Sequence, residues 1–398
     1  MPDMTKKARI MLIVPMLDQG GLERVCALTA QLLKNTFEVH LVVFNTEGMI
    51  YDVSGVHLID LNLGAVPGKI GKVINVLKRV KRVRQLKKEL SIQVSYGFGQ
   101  TANIVNVLSK VKDVTWAGIR GYGALKDVNE MRFVCKRADR VVSCTKVMGV
   151  DIAAAYPIKS GATLYNPCNL AEIEQLSREG IQPEFEEFLS KSGKTVVSMG
   201  REHDVKGFWH LIKSVYLVKK ILPDIKLMIV GAGDFAEYKE LACKLGMEKD
   251  VLFTGVQKNP FALLARADVY ALTSDSEGFP NALIEAMAVG LPCVSVNCKT
   301  GPAEILQEDY QTCEKQNEVY HADYGILTPI FIGEKNLEVD SFSKEEEIFA
   351  KELETLLTDD ELRQMYQSKA LKRAADFGIE AYVEVITQLI EEDKKSIK

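Results

Sequence analysis

The sequence contains no uncharged apolar run of about 18 residues, no Cys-x-x-Cys pair and no Asp-x-Asp at the end of a strand-like segment. The first absence excludes a membrane-spanning helix. The second points to buried reduced thiols rather than zinc or disulfides, since the eight cysteines (Cys26, Cys135, Cys144, Cys168, Cys243, Cys293, Cys298 and Cys313) lie mostly in apolar runs. The third removes a common means of holding a divalent cation across a diphosphate. The five histidines show no metal-ligand spacing either, so neither a metal nor another cofactor is expected. Met1 to Lys7 lead straight into an apolar run, from which no signal peptide and a cytoplasmic location are expected.

A chain of 398 residues exceeds one ordinary core, and 47% hydrophobic with 26% charged residues suits two folded domains. The net charge is only −4, yet residues 1–170 hold 24 basic against 13 acidic residues, or +11, while the remainder holds 26 against 41, or −15. Such asymmetry predicts halves with different partners. Much of the excess lies in Lys69 to Lys88, where Lys69, Lys72, Lys78, Arg79, Lys81, Arg82, Arg84, Lys87 and Lys88 occur without one acid. Ile70, Val73, Leu77, Val80 and Leu90 recur at helical spacing among them. Two readings stay open: a solvated helix whose apolar stripe packs on a sheet, or a surface resting on anionic membrane. Nucleic acid is not an expected partner, because no aromatics interleave with the cations and no recognition motif accompanies them.

Strand-like runs alternate with helical patterns throughout, as in doubly wound α/β sheets. The first series is Ile10 to Val14, Val39 to Phe44, Val56 to Leu61, Ile92 to Val94, Val114 to Ile119, Arg140 to Ser143 and Thr163 to Tyr165. After Asn166-Pro167, the polar stretch Glu172 to Lys194 marks the expected connection between domains. The second series is Thr195 to Met199, Lys226 to Val230, Val251 to Thr254, Val269 to Leu272 and Pro292 to Val296, with a further strand and turn at Gly325 to Pro329. Three acidic helices follow, Lys344 to Leu357, Asp360 to Ala375 and Ile379 to Glu391. The expected domains are 1–172, completed by a returning C-terminal helix 377–398, and 173–376.

The stretch Ser274 to Glu285 sets Glu277 and Glu285 eight positions apart around a Gly278-Phe279-Pro280 break. The break ends the strand Val269 to Leu272, and Pro280 suits the first turn of a helix running to Val289. Glu277 then sits at the helix mouth, and Glu285 lies about 7 Å further along at about 1.5 Å per residue. Free N–H groups at that helix start suit a phosphate, and the two carboxylates suit hydroxyls of a ribose or a sugar. A nucleotide sugar offers both.

Three further turns carry candidate chemistry. Gly20-Gly21-Leu22-Glu23-Arg24 follows the first strand, where the glycines either admit an anion or serve a tight turn. Gly200-Arg201-Glu202-His203-Asp204-Val205-Lys206-Gly207 follows the strand ending at Met199, and Arg201 with Lys206 suits a diphosphate clamp. Gly231-Ala232-Gly233-Asp234-Phe235-Ala236, with Asp250 beyond, loosely matches a dinucleotide fingerprint and supports a rival reading as an NAD-dependent oxidoreductase. That turn lies on the second strand of its series rather than the first. His203 and His210 have no evident orienting carboxylate beyond Asp204 and read as surface or supporting residues.

Gly20-Gly21, the Gly-Arg...Lys-Gly segment 200–207 and the Glu277 to Glu285 segment together resemble glycosyltransferase family 4, as do Ala138 to Ser143, Tyr165-Asn166-Pro167-Cys168-Asn169, Val251 to Gly255, Ala267-Asp268-Val269 and Glu285-Ala286-Met287-Ala288 before Gly290-Leu291-Pro292. The resemblance spans most of the chain and implies the GT-B architecture, two Rossmann-like domains facing across a cleft, with retention of configuration. It implies that Arg201 and Lys206 meet the diphosphate of a nucleotide sugar, UDP-sugar favoured, that Glu285 meets the ribose and Glu277 the donor sugar. Backbone groups of Gly278, Phe279, Pro280, Asn281, Ala282 and Leu283 would contact sugar and phosphate. Val256, Gln257 and Asn259 would lie near the base, and Gly20 and Gly21 near the diphosphate. Where many relatives carry a first-domain histidine, this chain reads Gly118-Ile119-Arg120-Gly121, so Arg120 is the candidate for that place. The sequence Gly301-Pro302-Ala303-Glu304-Ile305 resembles the subgroup that builds bacterial surface polysaccharides. Transfer of a hexosyl or N-acetylhexosaminyl unit to a lipid-linked glycan at the inner membrane face is the implied activity. A noncatalytic nucleotide-sugar binding protein is a further alternative.

Overall fold

The computed structural model describes residues 7–18, 20–190 and 193–396. Met1 to Lys6, part of the expected leaderless start, lie outside the described residues, as do Lys191 and Ser192 within the polar stretch. Contacts divide the chain into two units, Met1–Pro167 with Ile379–Lys398, and Cys168–Gly378.

The first unit holds strands Arg9–Val14 (β1), Glu38–Val43 (β2), His57–Asp60 (β3), Val94–Phe98 (β4), Val114–Ile119 (β5), Arg140–Ser143 (β6) and Gly161–Thr163 (β7). They form one parallel sheet in the order β3-β2-β1-β4-β5-β6-β7. The second unit holds Thr195–Met199 (β8), Lys226–Val230 (β9), Val251–Phe253 (β10), Val269–Leu272 (β11), Cys293–Val296 (β12), Tyr320–His321 (β13) and Ile326–Thr328 (β14), ordered β10-β9-β8-β11-β12-β14-β13. Only β13 runs antiparallel. Most strands of both sheets are apolar along their length, as helices on both faces require. In each sheet the order reverses beside the first strand, between β1 and β4 and between β8 and β11, and crevices at such reversals take ligands beyond the strands' carboxyl ends.

Some elements differ from the sequence expectation. Strand β4 starts at Val94 rather than ending there, because Ser95, which interrupts the apolar pattern, is buried by bonds from its Oγ to Asp113 Oδ2 at 2.6 Å and Asn106 Oδ1 at 2.7 Å. β7 lies two residues before the expected Thr163 start. The polar connection is instead two short helices, Leu170–Ser177 and Pro183–Ser190, each burying a single residue, Ile173 and Phe185, so the apolar pattern is too thin to read.

The helix Lys69–Glu89, here α2, corrects the expected single stripe. It turns Asn75, Arg79, Val80, Val83, Leu86 and Lys87 inward and leaves Ile70, Val73 and Leu77 outside. The inward polar groups are satisfied. Arg79 Nε and Nη2 donate to Leu63 O at 2.9 and 2.6 Å, Asn75 Nδ2 donates to Gly64 O at 2.6 Å, and Lys87 Nζ pairs with buried Asp113 at 2.8 Å.

The C-terminal helix Ile379–Lys395 packs within the first unit, burying Tyr382, Ile386 and Ile390 among Leu12, Val94 and Trp116. Asp393 accepts from Trp116 Nε1 at 2.6 Å and from Arg140 Nε and Nη2 at 2.9 and 2.8 Å. Charge-assisted bonds of this kind are worth about 1.5–3 kcal/mol each when one partner is lost. The chain has two tryptophans, Trp116 in the first unit and Trp209 in the second. In a Trp209→Phe background, Asp393→Ala should lower the stability of the first unit by about 3 kcal/mol in urea titrations followed by Trp116 fluorescence. An unchanged midpoint would show that the helix is held by its apolar face alone.

Candidate active site

The loops leaving β8 and β11 carry most of the second-unit candidates, and these strands are neighbours although about seventy residues separate them in sequence. The β8 loop passes through a short 3-10 turn, Asp204–Lys206, to Gly207, whose φ of 61° is left-handed. A methyl group on Gly207 would lie 2.3 Å from Thr273 O, so glycine is needed for both dihedral and space. This close approach lets Asp275 N donate to Val205 O at 2.9 Å and Thr273 Oγ1 to Lys206 O at 2.9 Å. The two loops are thereby stapled.

On that staple Lys206 Nζ meets Glu277 Oε1 at 2.7 Å, both groups being partly buried. The lysine stem crosses Gly200, where a methyl group would come within 3.3 Å of its Cε. Thr300 Oγ1 donates to Glu277 O at 2.5 Å and fixes the carboxylate's own backbone. Pro280 then caps the helix Asn281–Ala288 without a side-chain acceptor, so the first N–H groups of that helix are not taken by a side-chain cap. Glu285 is buried on this helix. Below lies Tyr270, whose phenol is held protonated by burial, with Cys293, Glu277 and Glu285 acting in the same direction. Arg201, at the head of the β8 loop, is exposed and forms no ion pair among the described residues.

The remaining candidates divide. Gly278 is half-buried, and Phe279 and Leu283 are buried, Phe279 packing edge-on against Phe377 at 5.4 Å, so these residues present backbone only. Asn281 and Ala282 are half-buried. Val256 is exposed, and Gln257 turns its Nε2 back to Thr254 O at 2.7 Å. The Asn259 side chain, expected near the base, is engaged by protein. Its Nδ2 donates to Leu176 O and Glu179 Oε2 and its Oδ1 accepts from Phe261 N and Ala262 N, which exhausts the amide.

In the first unit, Gly20 and Gly21 follow β1 and open the helix Gly21–Leu33, here α1, at the switch point of that sheet. The Glu23 carboxylate covers Gly20, and Tyr51 OH donates to Gly20 O at 3.0 Å. Arg120 is likewise engaged by protein. Its Nη1 donates to Leu164 O at 3.1 Å and Asn166 Oδ1 at 2.8 Å, and its Nη2 to Tyr96 OH at 2.5 Å, while Nε is buried. Burial lowers its pKa, but Tyr96, Tyr382 and Cys144 outweigh this and keep it a fixed cation. The guanidinium ties strand ends of its own unit together.

The dinucleotide-like turn is filled by protein. Glu202 Oε2 accepts from Phe235 N at 2.8 Å, Glu202 N donates to Ala232 O at 2.6 Å, and a methyl on Gly233 would lie 2.3 Å from Glu202 Cβ. A carboxylate stands where a pyrophosphate would need donors, so these glycines serve chain packing. His203 Nδ1 accepts from Val205 N at 3.1 Å. His210, expected to lack an orienting carboxylate, has one: Nδ1 meets buried Glu346 Oε1 at 2.7 Å, from a helix 136 positions away. Thr273 and Thr300 support the site without any local sequence mark, since each acts through contacts distant along the chain. Among the described residues no group of three or more metal-ligating side chains converges, and no helix is long and apolar enough to cross a membrane.

Residues 182–326 match the family model described as "Glycosyl transferases group 1". The N-acetylgalactosamine-N,N'-diacetylbacillosaminyl-diphospho-undecaprenol 4-alpha-N-acetylgalactosaminyltransferase of Campylobacter jejuni is 26% identical over 91% of this chain and 93% of its own length. The uncharacterized glycosyltransferase MJ1059 of Methanocaldococcus jannaschii is 35% identical over 57% of this chain, a match that spans 56% of that protein. Among solved structures, Anabaena Alr3699/HepE in complex with UDP and glucose superposes with a TM-score of 0.72 at 18% identity, covering 97% of this chain and 100% of that one. The glycine-turned β8 loop and the paired glutamates lie inside the segment that matches the group 1 glycosyl transferases, and the chain has the GT-B fold of its structural neighbours.

Proposed function

We propose that this glycosyltransferase moves a hexosyl or N-acetylhexosaminyl unit, with retention, from a UDP-sugar to a lipid-linked glycan in cell-surface polysaccharide synthesis at the cytoplasmic membrane face. The observation that carries the donor assignment is the Lys206–Glu277 contact at the β8/β11 switch point, beside an uncapped helix start. A diphosphate competes with Glu277 for Lys206, offers more charge, and gains Arg201 and the helix N–H groups as further donors. Glu277, released from the lysine, then faces sugar hydroxyls, and Glu285 takes the ribose. Gly278 to Leu283 supply backbone contacts, with Val256 and Gln257 beside the base.

The glycosidic bond to the diphosphate breaks as the acceptor oxygen bonds to the same face of the sugar through an oxocarbenium-like state. Lys206 and Arg201 stabilise the charge growing on the departing phosphate, and a phosphate oxygen takes the acceptor's proton. No protein base is required, in keeping with Arg120 being a fixed cation. The Campylobacter relative is named for N-acetylgalactosamine transfer to a diphospho-undecaprenol-linked sugar, and the Anabaena neighbour was solved with UDP and glucose, which supports both the donor and the acceptor class.

Thermal shift against UDP, GDP, ADP and NAD tests the donor. UDP at a hundred times its Kd should add about 2.7 kcal/mol of stability. Stabilisation by NAD alone would restore the oxidoreductase reading. Lys206→Ala should weaken UDP binding about 10- to 100-fold, and Glu285→Gln should cut sugar transfer at least about 30-fold with the far-UV circular dichroism unchanged. Full activity in the Glu285 variant removes that residue from the site. Gly207→Ala should both lower Tm, by about 1–3 kcal/mol of stability, and raise the KM for donor. A lower Tm with unchanged KM would mean that the staple does not position Lys206.

A further inference from the structure

We propose that His210, held by Glu346, is a positioning residue for the donor site: it fixes the Gly207–Thr273 contact and thereby the loops that carry Lys206 and Glu277. The inference rests on the nucleotide-sugar reading given above. His210 lies in the first turn of the helix Phe208–Lys219 and is 6% exposed. One edge of its ring lies against the staple. A methyl group on Gly207 would sit 3.5 Å from Cδ2 of this ring and 2.3 Å from Thr273 O. The imidazole also acts on Asp275, whose carboxyl is pushed up by burial, with His210 opposing. Asp275 is the residue whose N–H closes the staple on Val205 O, two positions before Glu277.

The ring is held by a carboxylate with both oxygens engaged. Glu346 Oε1 meets His210 Nδ1 at 2.7 Å, while Oε2 accepts from Ser343 N at 2.9 Å and lies 3.6 Å from Lys213 Nζ. The Ser343 bond is half of a capping box that starts the helix Lys344–Thr358, completed by Glu346 N donating to Ser343 Oγ at 3.1 Å. Displacing Glu346 would therefore uncap that helix. Phe331 stacks on the imidazole at 3.9 Å and 10°, which removes its remaining freedom to tilt. With Nδ1 bonded to a carboxylate, that nitrogen carries the proton and the ring plane is set. Lys213, His210 and Glu346 are thus three ionisable side chains buried together, and a well-packed apolar cluster of the same volume would be as stable or more so. What a hydrogen-bonded imidazole adds over a phenyl ring is direction. Here that direction points its Cδ2 edge at the glycine on which both donor loops turn.

Two measurements on the full chain test this. Hydrogen exchange at the Asp275 amide, which donates to Val205 O, reports the staple without a ligand, and calorimetric titration with UDP reports the site. His210→Phe keeps the ring and removes its bond to Glu346. His210→Asn keeps that bond, since the asparagine amide puts a nitrogen in the place of Nδ1 and an oxygen in that of Cδ2. Val215→Ala, in the same helix and core but more than a turn further along, controls for a general loss of stability. In His210→Phe the Asp275 amide should exchange at least about tenfold faster and the Kd for UDP should rise about tenfold, whereas His210→Asn should stay within about threefold of wild type on both. Val215→Ala should lower Tm and move neither. Unchanged exchange or unchanged UDP affinity in His210→Phe overturns the inference, and so does a His210→Asn variant as impaired as His210→Phe. An equal loss in Val215→Ala also overturns it, by making His210 one core residue among others. Exchange accelerated as expected in a protein whose wild type does not bind UDP would instead count against the donor reading and leave the role of His210 in the staple standing.

Discussion

The close contact of Gly207 with Thr273 O is the constraint on which the proposed donor site depends. It brings main-chain groups of two loops, far apart in sequence, within hydrogen-bonding distance, and the side chains ride on that frame. The Lys206–Glu277 pair itself is partly solvated, and ion pairs of that kind are worth about 1 kcal/mol or less. Such a pair cannot hold two loops together. It can be exchanged at little cost, which suits the proposed turn of this lysine from a carboxylate to a phosphate while its backbone stays still.

What could be read from the sequence was chiefly local. The stop of β11, the Pro280 break and the following helix are encoded by adjacent residues, so Glu277 and Glu285 were legible as a pair. Strand alternation likewise revealed two α/β series. Strand order was not legible, and with it the adjacency of β8 and β11, because pairing partners are chosen by packing of whole elements. Thr300 on Glu277 O and Glu346 on His210 were equally hidden. Asn259 and Arg120 share one feature: a polar side chain near a strand end looks available in the sequence, yet both make several hydrogen bonds within the protein.

Helix α2 shows the same lesson in reverse. An apolar residue at helical spacing is ordinarily taken as core, and a cation as solvated. Here Arg79 and Lys87 found backbone carbonyls, an asparagine and a carboxylate inside, and so turned Ile70, Val73, Ile74 and Leu77 to the outside. The phase of a mixed helix is decided by which polar groups can be satisfied at depth, a property of the neighbouring loop and strand rather than of the helix sequence.

The return of the C-terminal helix to the first unit orders events during translation. Tyr382, Ile386, Ile390 and Asp393 fill positions in a core whose other members are made well before them. Residues 168–378 must be made in between, and at about 5–20 residues per second that interval is roughly 10–40 s. Throughout it, Trp116 and Arg140 lack their carboxylate and the sheet lacks one of its covering helices. The second unit, contiguous in sequence, has all of its residues made before that helix.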